Sequence, residues 1–264
     1  GIAGTDAFYT LLASVELAKC ASGGLAASLL SHTIGTPPIQ HFAQEEVKAE
    51  VLPQILSGEK ISALAITEPS GGSDVAALKT KAVRDGDDYI VSGEKTFITS
   101  GIRADYYSVA VRTDPNAKGA NGISMLLIDA HSEGITKSKL DKMGWWASDT
   151  AHLHFDHVRV PAKNLLGAEH MGAFVIMNNC NMERFFLAAS SDGYALVCYE
   201  EALDWAKQRP TFGKRLIDHQ VVRHKLVDMA TRLTSTRALL EDTAYRLGKP
   251  ELQGNELIAQ ICML

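Results

Sequence analysis

Apolar positions along the chain change their spacing twice. From about Thr5 to Ser57 they recur every three or four residues, with Phe8, Leu11, Leu12, Val15 and Leu17-Ala18 on one helical stripe. The pair Pro37-Pro38 breaks this stretch, a second helix is predicted over Pro38 to Leu56, and Gly58 stands where a helix-ending glycine belongs. From about Ser62 to Val160 the period falls to two. Leu64-Ala65-Ile66, Tyr89-Ile90-Val91, Thr96 to Thr99, Tyr107 to Val111 and Ser124 to Ile128 predict short strands, and His152 to Phe155 alternates as another. Asp85-Gly86-Asp87, Ser92-Gly93-Glu94 and Asn121-Gly122 carry turn chemistry between them. Short, closely spaced strands predict a small sandwich or barrel rather than a parallel sheet, and Pro161 closes the zone.

From about Met171 the period is helical again. One long helix is predicted to about Gln208, where Pro210 and Gly213 interrupt it; a second runs from about Asp218 to Leu247, stopped by Gly248 and Pro250; a third begins near Glu251. Long helices with a repeated apolar stripe pack as an antiparallel bundle. The expected fold class is therefore α+β, in three parts. Residues 1–60 end an N-terminal helical domain, 61–163 form a central β-domain, and 164–264 form an incomplete C-terminal helical domain.

Composition excludes several classes. Apolar residues make up 46% and charged residues 22% of the 264, as in ordinary globular proteins. A net charge of −5 with no Lys/Arg-rich block gives nucleic acid no basic stripe, and no apolar run is long enough for a membrane span. Cys20, Cys180, Cys198 and Cys262 lie far apart with no CxxC pair, which argues against structural zinc and against a disulfide framework. The chain lacks an initial Met and stops within the apolar run Ile261-Cys262-Met263-Leu264. It therefore reads as a segment of a longer protein, truncated at both ends.

Two segments hold candidate chemistry. The loop Thr67-Glu68-Pro69-Ser70-Gly71-Gly72-Ser73-Asp74 follows an apolar strand and carries adjacent glycines and hydroxyls. Such a loop admits a ligand's phosphate oxygens close to its backbone, or it is a solvated connection; its glycine spacing is neither that of a Rossmann turn nor that of a P-loop. In Glu94-Lys95-Thr96-Phe97-Ile98-Thr99-Ser100-Gly101, alternation puts Phe97 and Thr99 on one face. An aromatic ring beside a hydroxyl suits the cover and edge of a planar cofactor, or equally a half-buried cross-strand pair.

Taken in order, Ala65 to Asp74, Lys95 to Thr99 and Gln208-Arg209-Pro210-Thr211-Phe212-Gly213-Lys214 resemble the acyl-CoA dehydrogenases. The likeness covers essentially the whole chain and the α–β–α order is that of the family. It implies FAD as cofactor, lined by Ile66 to Ser73, with Thr67 near the flavin ring, Gly72 in the loop, and Ser73 near the pyrophosphate and the CoA arm. Phe97 stands where the family usually has Trp against the flavin face, Thr99 where a hydroxyl meets N5, with Ile98 between them. Arg209, Thr211, Phe212 and Gln220 match positions that reach the FAD of a neighbouring subunit, which implies a homo-oligomer, dimer or homotetramer. A guanidinium such as Arg209 also suits a diphosphate on chemical grounds. Pro210 replaces a usually charged residue.

Acyl-CoA dehydrogenation needs a carboxylate at the substrate α-carbon with a pKa raised by burial. Two placements of this base occur in the family, one in a later segment and one on the first helix after the β-domain. In Asn181-Met182-Glu183-Arg184-Phe185-Phe186, Glu183 falls on the second, as in isovaleryl-CoA and long-chain acyl-CoA dehydrogenases, while Asn181 and Arg184 fall beside the substrate. Helical spacing puts Glu183 on a face with Ile176, Cys180, Phe186, Leu187 and Ser190, where an unpaired carboxylate is costly unless it has a function. The resemblance thus implies β-oxidation chemistry. An acyl-CoA loses its α-proton to Glu183 and its β-hydride to flavin N5, giving a trans-2-enoyl-CoA, and electrons pass to an electron-transfer flavoprotein. It also implies the bacterial cytoplasm or the mitochondrial matrix, and a branched or longer acyl group.

Other residues draw attention without a family role. His152 and His154 alternate with Leu153 and Phe155, so they face solvent, with His157 beyond a bend; three imidazoles alone make no metal site, and none is expected. Trp145-Trp146 lies near the family's active site, where Trp146 replaces a polar or basic residue and shapes the acyl pocket or simply packs. Two alternatives stand beside dehydrogenation: a flavin oxidase or monooxygenase on the same fold, and a non-catalytic binding member with a degenerate site.

Overall fold

The computed structural model of the chain describes residues 6–252 and 254–264. Five helices come first: α1 (Ala7–Ala18), α2 (Gly23–Leu30), α3 (His32–Gly35), α4 (Pro37–Phe42) and α5 (Glu45–Leu56). Seven strands follow: β1 (Ser62–Ala65), β2 (Lys81–Asp85), β3 (Asp88–Thr99), β4 (Tyr106–Arg112), β5 (Ile123–Asp129), β6 (Ile135–Lys139) and β7 (Thr150–Pro161). The chain ends with α6 (Gly172–Gln208), the two-residue strands β8 (Pro210–Thr211) and β9 (Lys214–Arg215), α7 (Gln220–Leu247) and α8 (Asn255–Met263). The α+β class holds, with helices, then a β region, then a helical bundle.

Local chemistry explains most boundaries. The Asp6 carboxylate accepts the Phe8 N–H at 3.0 Å and starts α1. Pro37-Pro38 follows the end of α3 and begins α4 as expected, because proline at the first helical positions gives up no needed N–H. The single helix expected over Pro38 to Leu56 is in fact two, parted where Ala43 and Gln44 are extended at ψ 156° and 150°. Gly58, at φ +83°, ends α5 as expected.

Contacts divide the chain into two compact units, Gly24–Cys180 and Gly1–Gly23 with Asn181–Leu264. In the first, β1 to β7 form one sheet in the order β1-β4-β2-β3-β7-β6, with β5 also paired to β4. Two of its pairings, β1 and β2 with β4, are parallel and the rest antiparallel. One edge of β4 is shared: β1 takes Tyr106 to Val109, and β2 takes Arg112. The chain between β1 and β2, residues 66–80, leaves the sheet at that gap and carries the Thr67–Asp74 loop.

The sheet curls over a core that includes Ala65, Tyr89, Val91, Tyr107, Val109, Leu126, Ile128, Leu153 and Phe155. Its outer face at β4 and β5 packs Ala110, Ile123, Met125 and Leu127 under Ile39, Val47, Val51 and Ile55 of α4 and α5 and under Val175 of α6. Burial on both faces explains why β5 reads as a nearly continuous apolar run.

Ser92-Gly93-Glu94 is not the expected turn. β3 runs unbroken from Asp88 to Thr99, with a shift of register against β7 between Val91 and Gly93. Ser92 of β3 faces two residues of β7, Asp156 and His157, and His157 has φ +54°, so the bend expected near His157 is a bulge inside β7.

In the second unit α1, α6 and α7 pack through Leu11, Val15, Phe185, Ala189, Leu240 and Ala244. Gly193 lets α1 come close, since a Cβ there would stand 2.7 Å from the Ala18 Cβ. Asp192 pairs with Arg237. Asp192 lies about as far before the end of α6 as Arg237 lies after the start of α7, the register of antiparallel neighbours. Among the described residues no helix is long and apolar enough to cross a membrane.

Candidate active site

The Thr67–Asp74 loop is a tied structure. Glu68 and Gly71 exchange backbone hydrogen bonds at 3.1 and 3.0 Å, which folds the loop back on itself. The Thr67 carbonyl accepts the Thr96 N–H at 2.9 Å and fastens the loop to β3. Ser70, Gly71, Ser73 and Asp74 are exposed, while Ile66 and Thr67 are half-buried and Ile66 packs on the outer core. Gly72 sits over Thr67, where a Cβ would come 3.1 Å from Thr67 Cγ2; a Cβ on Gly71 would meet nothing within 4 Å. The exposed arc is therefore open backbone and hydroxyl, suited to phosphate oxygens.

Beside it, the end of β3 departs from alternation. Lys95 and Thr96 are both buried in succession, the register shifts between Lys95 and Ile98, and Phe97 is left-handed at φ +59°. The expected common face of Phe97 and Thr99 thus has no basis in strand periodicity, because a bulge intervenes. The bulge turns Phe97 outward to 69% exposure, whereas Ile98 points into the sheet core at 2%. Ile98 can meet a ligand only through its main chain, and Thr99, opposite Thr150, is half-buried.

A large ring in the left-handed region and in water is doubly unfavourable. Phe97 shares this state with Trp145 (φ +56°, 57% exposed) and Phe212 (φ +48°, 94% exposed). Trp146 is 80% exposed and donates its indole N–H to the Lys142 carbonyl at 2.8 Å. Its polar atom is used and its ring faces outward.

In the second unit Arg209, Thr211, Phe212 and Gln220 gather at the corner between α6 and α7. Phe212 and Gly213, both at positive φ, form the two-residue turn of the β8–β9 hairpin. The Leu216 N–H donates to the Arg209 carbonyl at 2.9 Å and the His219 ring meets Phe212 edge-on at 6.3 Å, so the corner is held from both sides. The Arg209 guanidinium rests 5.8 Å from the Trp205 ring, and Arg209 and Gln220 are exposed.

Glu183 is half-buried on α6, and burial pushes its carboxyl above the usual carboxylate range while the Arg184 charge pulls the other way. Arg184 donates to Asn181 Oδ1 at 3.0 Å instead. No hydrogen bond or ion pair to the Glu183 carboxylate is found among the described residues. Phe185, Ala189, Ser190 and Asp192 are buried here; of the face expected with Glu183, Ile176 and Ser190 are buried while Leu187 is 45% exposed. Arg184 and Leu187 line a groove of about 740 Å³ beside α7.

Two ion pairs escaped sequence reasoning. Lys95 Nζ lies 2.8 Å from Glu68 Oε1, with side chains 0% and 4% exposed. Its signal was present, since period two from Tyr89 and Val91 carries Lys95 inward. Asp192, with Arg237, carried a comparable signal, standing seven residues after Phe185 and three after Ala189 on one helical face. His152 and His154 flank Glu94 at 3.8 and 3.5 Å, and His157 pairs with Asp156. Among the described residues no group of three His, Cys, Asp or Glu is placed to hold a metal ion.

The fold is a helical region, a curled sheet and a helical bundle in that order, and sequence comparison names it. Residues 1–59, 63–158 and 170–263 match, in turn, the N-terminal, middle and C-terminal domains of acyl-CoA dehydrogenases. The chain is 39% identical over 246 residues to an acyl-CoA dehydrogenase of Bacillus subtilis, covering 92% of this chain and 64% of that protein. It is 38% identical over 214 residues to the mitochondrial long-chain specific acyl-CoA dehydrogenase of Sus scrofa, covering 80% and 50%. The structure of butyryl-CoA dehydrogenase from Megasphaera elsdenii superposes with a TM-score of 0.91 at 34% identity, over 100% of this chain and 68% of that one.

The chain belongs to the acyl-CoA dehydrogenase family, whose members are FAD-dependent flavoproteins. It spans 54% to 64% of the length of four curated relatives.

Proposed function

We propose that the protein carrying this chain is an FAD-dependent acyl-CoA dehydrogenase that converts an acyl-CoA to its trans-2-enoyl-CoA, with Glu183 as the α-proton base. The observation that carries this is Glu183 itself, half-buried, without an ion-pair or hydrogen-bond partner among the described residues, and raised in pKa by burial. A carboxylate kept so is a stronger base than one in water. The proposed division of labour follows three domains, 1–60, 61–163 and 164–264.

The residues present fit the cofactor. The open arc Ser70–Asp74 suits a diphosphate, and the outward ring of Phe97 suits a planar ring system. Ile66, Thr67, Gly72, Ser73, Phe97, Thr99 and the main chain at Ile98 would hold it, and Arg209, Thr211, Phe212 and Gln220 would hold the cofactor of a neighbouring copy in a dimer or tetramer. FAD, when bound, supplies the acceptor for the β-hydride. Glu183 holds the α-proton at its carboxylate, while Ser73, Asn181 and Arg184 position the CoA arm. The proposed electron acceptor is an electron-transfer flavoprotein, the proposed setting the bacterial cytoplasm or mitochondrial matrix, and the proposed acyl group branched or long, as the name of the Sus scrofa relative supports.

The test uses the full-length protein, anaerobically, with straight and branched acyl-CoAs. Glu183→Gln is expected to keep its flavin and lose bleaching by substrate. Normal bleaching in that variant would move the base elsewhere. Rapid peroxide formation by the reduced wild type in air, without a carrier protein, would favour an oxidase.

A further inference from the structure

Loop 66–80 leaves the sheet at the edge of β4 and returns to it, and its two stems meet at one buried carboxylate. Glu68 Oε2 accepts the Lys79 N–H at 2.6 Å and Glu68 Oε1 the Thr80 N–H at 2.9 Å, both from the returning stem. Lys95 Nζ, on β3, donates to Glu68 Oε1 at 2.8 Å and to the Ile66 carbonyl of the outgoing stem at 2.9 Å. Thr80 Oγ1 donates to the Glu94 carbonyl at 3.1 Å and adds a second tie between the returning stem and β3. Thr67 sits between Ile66 and Glu68, and Phe97 two residues beyond Lys95. The pair stands at the junction of both halves of the cofactor wall.

As glue alone this arrangement is a poor choice. Two charges withdrawn from water are often no more stabilising than an apolar pair of the same volume. Burial draws the Lys95 ammonium down to about 8 against the pull of Glu68. Burial works on Glu68 in the opposite sense, but Lys95 and the two backbone donors outweigh it and hold the carboxyl below its usual range. What an ion pair supplies and an apolar pair does not is direction: four hydrogen bonds of fixed geometry across three segments.

We propose that Glu68 and Lys95 are positioning residues for the flavin, closing the neck of loop 66–80 so that Thr67 and Phe97–Thr99 stand in fixed relation before the cofactor arrives. Neither side chain is exposed, so neither touches the ligand; they act through Thr67 and the β3 bulge. This rests on the FAD reading given under Proposed function.

The experiment compares full-length wild type with Lys95→Met, Glu68→Gln and the double variant. For each, the FAD dissociation constant is measured on apoprotein, along with the visible circular dichroism of bound flavin and the apoprotein's denaturant midpoint. The single variants are expected to lose both stability and affinity. In the double variant the stranded charge is gone, so the midpoint should recover part of the loss, short of wild type because one N–H of the returning stem then faces an amide NH2 and the Ile66 carbonyl loses its donor. Its FAD dissociation constant should stay about tenfold or more above wild type, with altered visible dichroism, because the wall is no longer pre-organised. Affinity that tracks the midpoint across all three variants would make the pair merely structural and overturn the proposal. Wild-type protein that takes up no FAD would overturn the flavin reading and this proposal with it, whereas normal affinity and dichroism in the double variant overturn this proposal alone.

Discussion

Gly93 and Thr80 approach so closely that a Cβ on Gly93 would stand 2.7 Å from both Cα and Oγ1 of Thr80. Gly93 also has φ +147°, a backbone that side chains rarely adopt. Its glycine is therefore required by the closeness of β3 to the returning stem of the loop. Gly93→Ala is expected to destabilise the fold by about 2–3 kcal/mol, combining overpacking with backbone strain. Urea unfolding of the apoprotein checks this; a loss below about 0.5 kcal/mol, the ordinary surface value, would contradict it.

Glu183 gives a pH signature of two opposite signs. Its folded-state pKa is raised, so the ionised base appears only as pH rises through that elevated value, and kcat/KM for dehydrogenation should rise with it. Stability runs the other way. The buried neutral acid is favourable below the ordinary carboxylate range, and that advantage is lost as pH rises through the folded pKa. Glu183→Gln should therefore lose about 100- to 10,000-fold in turnover yet melt no lower than wild type at pH 8, with the difference in Tm shrinking toward pH 4. A variant that melts well below wild type at pH 8 would make Glu183 a structural partner.

At Phe97 stability and binding should separate. Glycine relieves the left-handed strain of about 1–2 kcal/mol but restores about 0.5–1 kcal/mol of chain entropy to the unfolded state. Phe97→Gly should leave apoprotein stability unchanged or up to about 1 kcal/mol higher. FAD affinity should fall about tenfold, the worth of one aromatic stack. Equal affinity in a flavin titration would remove Phe97 from the cofactor wall.

The Asp192–Arg237 pair should respond asymmetrically. The Asp192 side chain is 0% exposed and Arg237 41%, and Asp192 Oδ1 has no hydrogen-bond partner among the described residues. Arg237→Ala strands a fully buried carboxylate and should cost about 3–4 kcal/mol. Asp192→Ala leaves a guanidinium that water can reach and should cost about 1–2 kcal/mol. Reversal of this order in thermal unfolding would mean that Asp192 is not the desolvated member.

Periodicity made the three-part order and the long helices legible, because one-sided burial writes itself directly into spacing. It failed where two effects share a position. Ser92-Gly93-Glu94 has turn composition, yet the glycine answers to close packing against Thr80. Pro38 to Leu56 reads as one helix, yet the extended Ala43 and Gln44 part it into two. The Thr67–Asp74 loop and Phe97 each read two ways from composition alone, and only the family resemblance assigned them to the proposed flavin site. The bulge that turns Phe97 outward was not legible, because it arises from the register of β3 on β7, which no local pattern records. Lys95 was hidden by its charge, although alternation from Tyr89 and Val91 placed it inside.

The shared edge of β4 also orders events in time. The β2–β3 pair closes across a short turn, whereas β1 reaches β4 only after the chain has passed through the loop and that whole hairpin. Pairings of long sequence separation form late and are first to open. The β1 edge is thus sewn after the β2–β3 hairpin, though its partners lie closer in sequence than those of β3 and β7. In hydrogen exchange the amides of Lys79 and Thr80, held by the Glu68 side chain rather than by the sheet, should be released before those of Val91 and Leu126 in the sheet core, so that the loop proposed for FAD can open while the core stays closed.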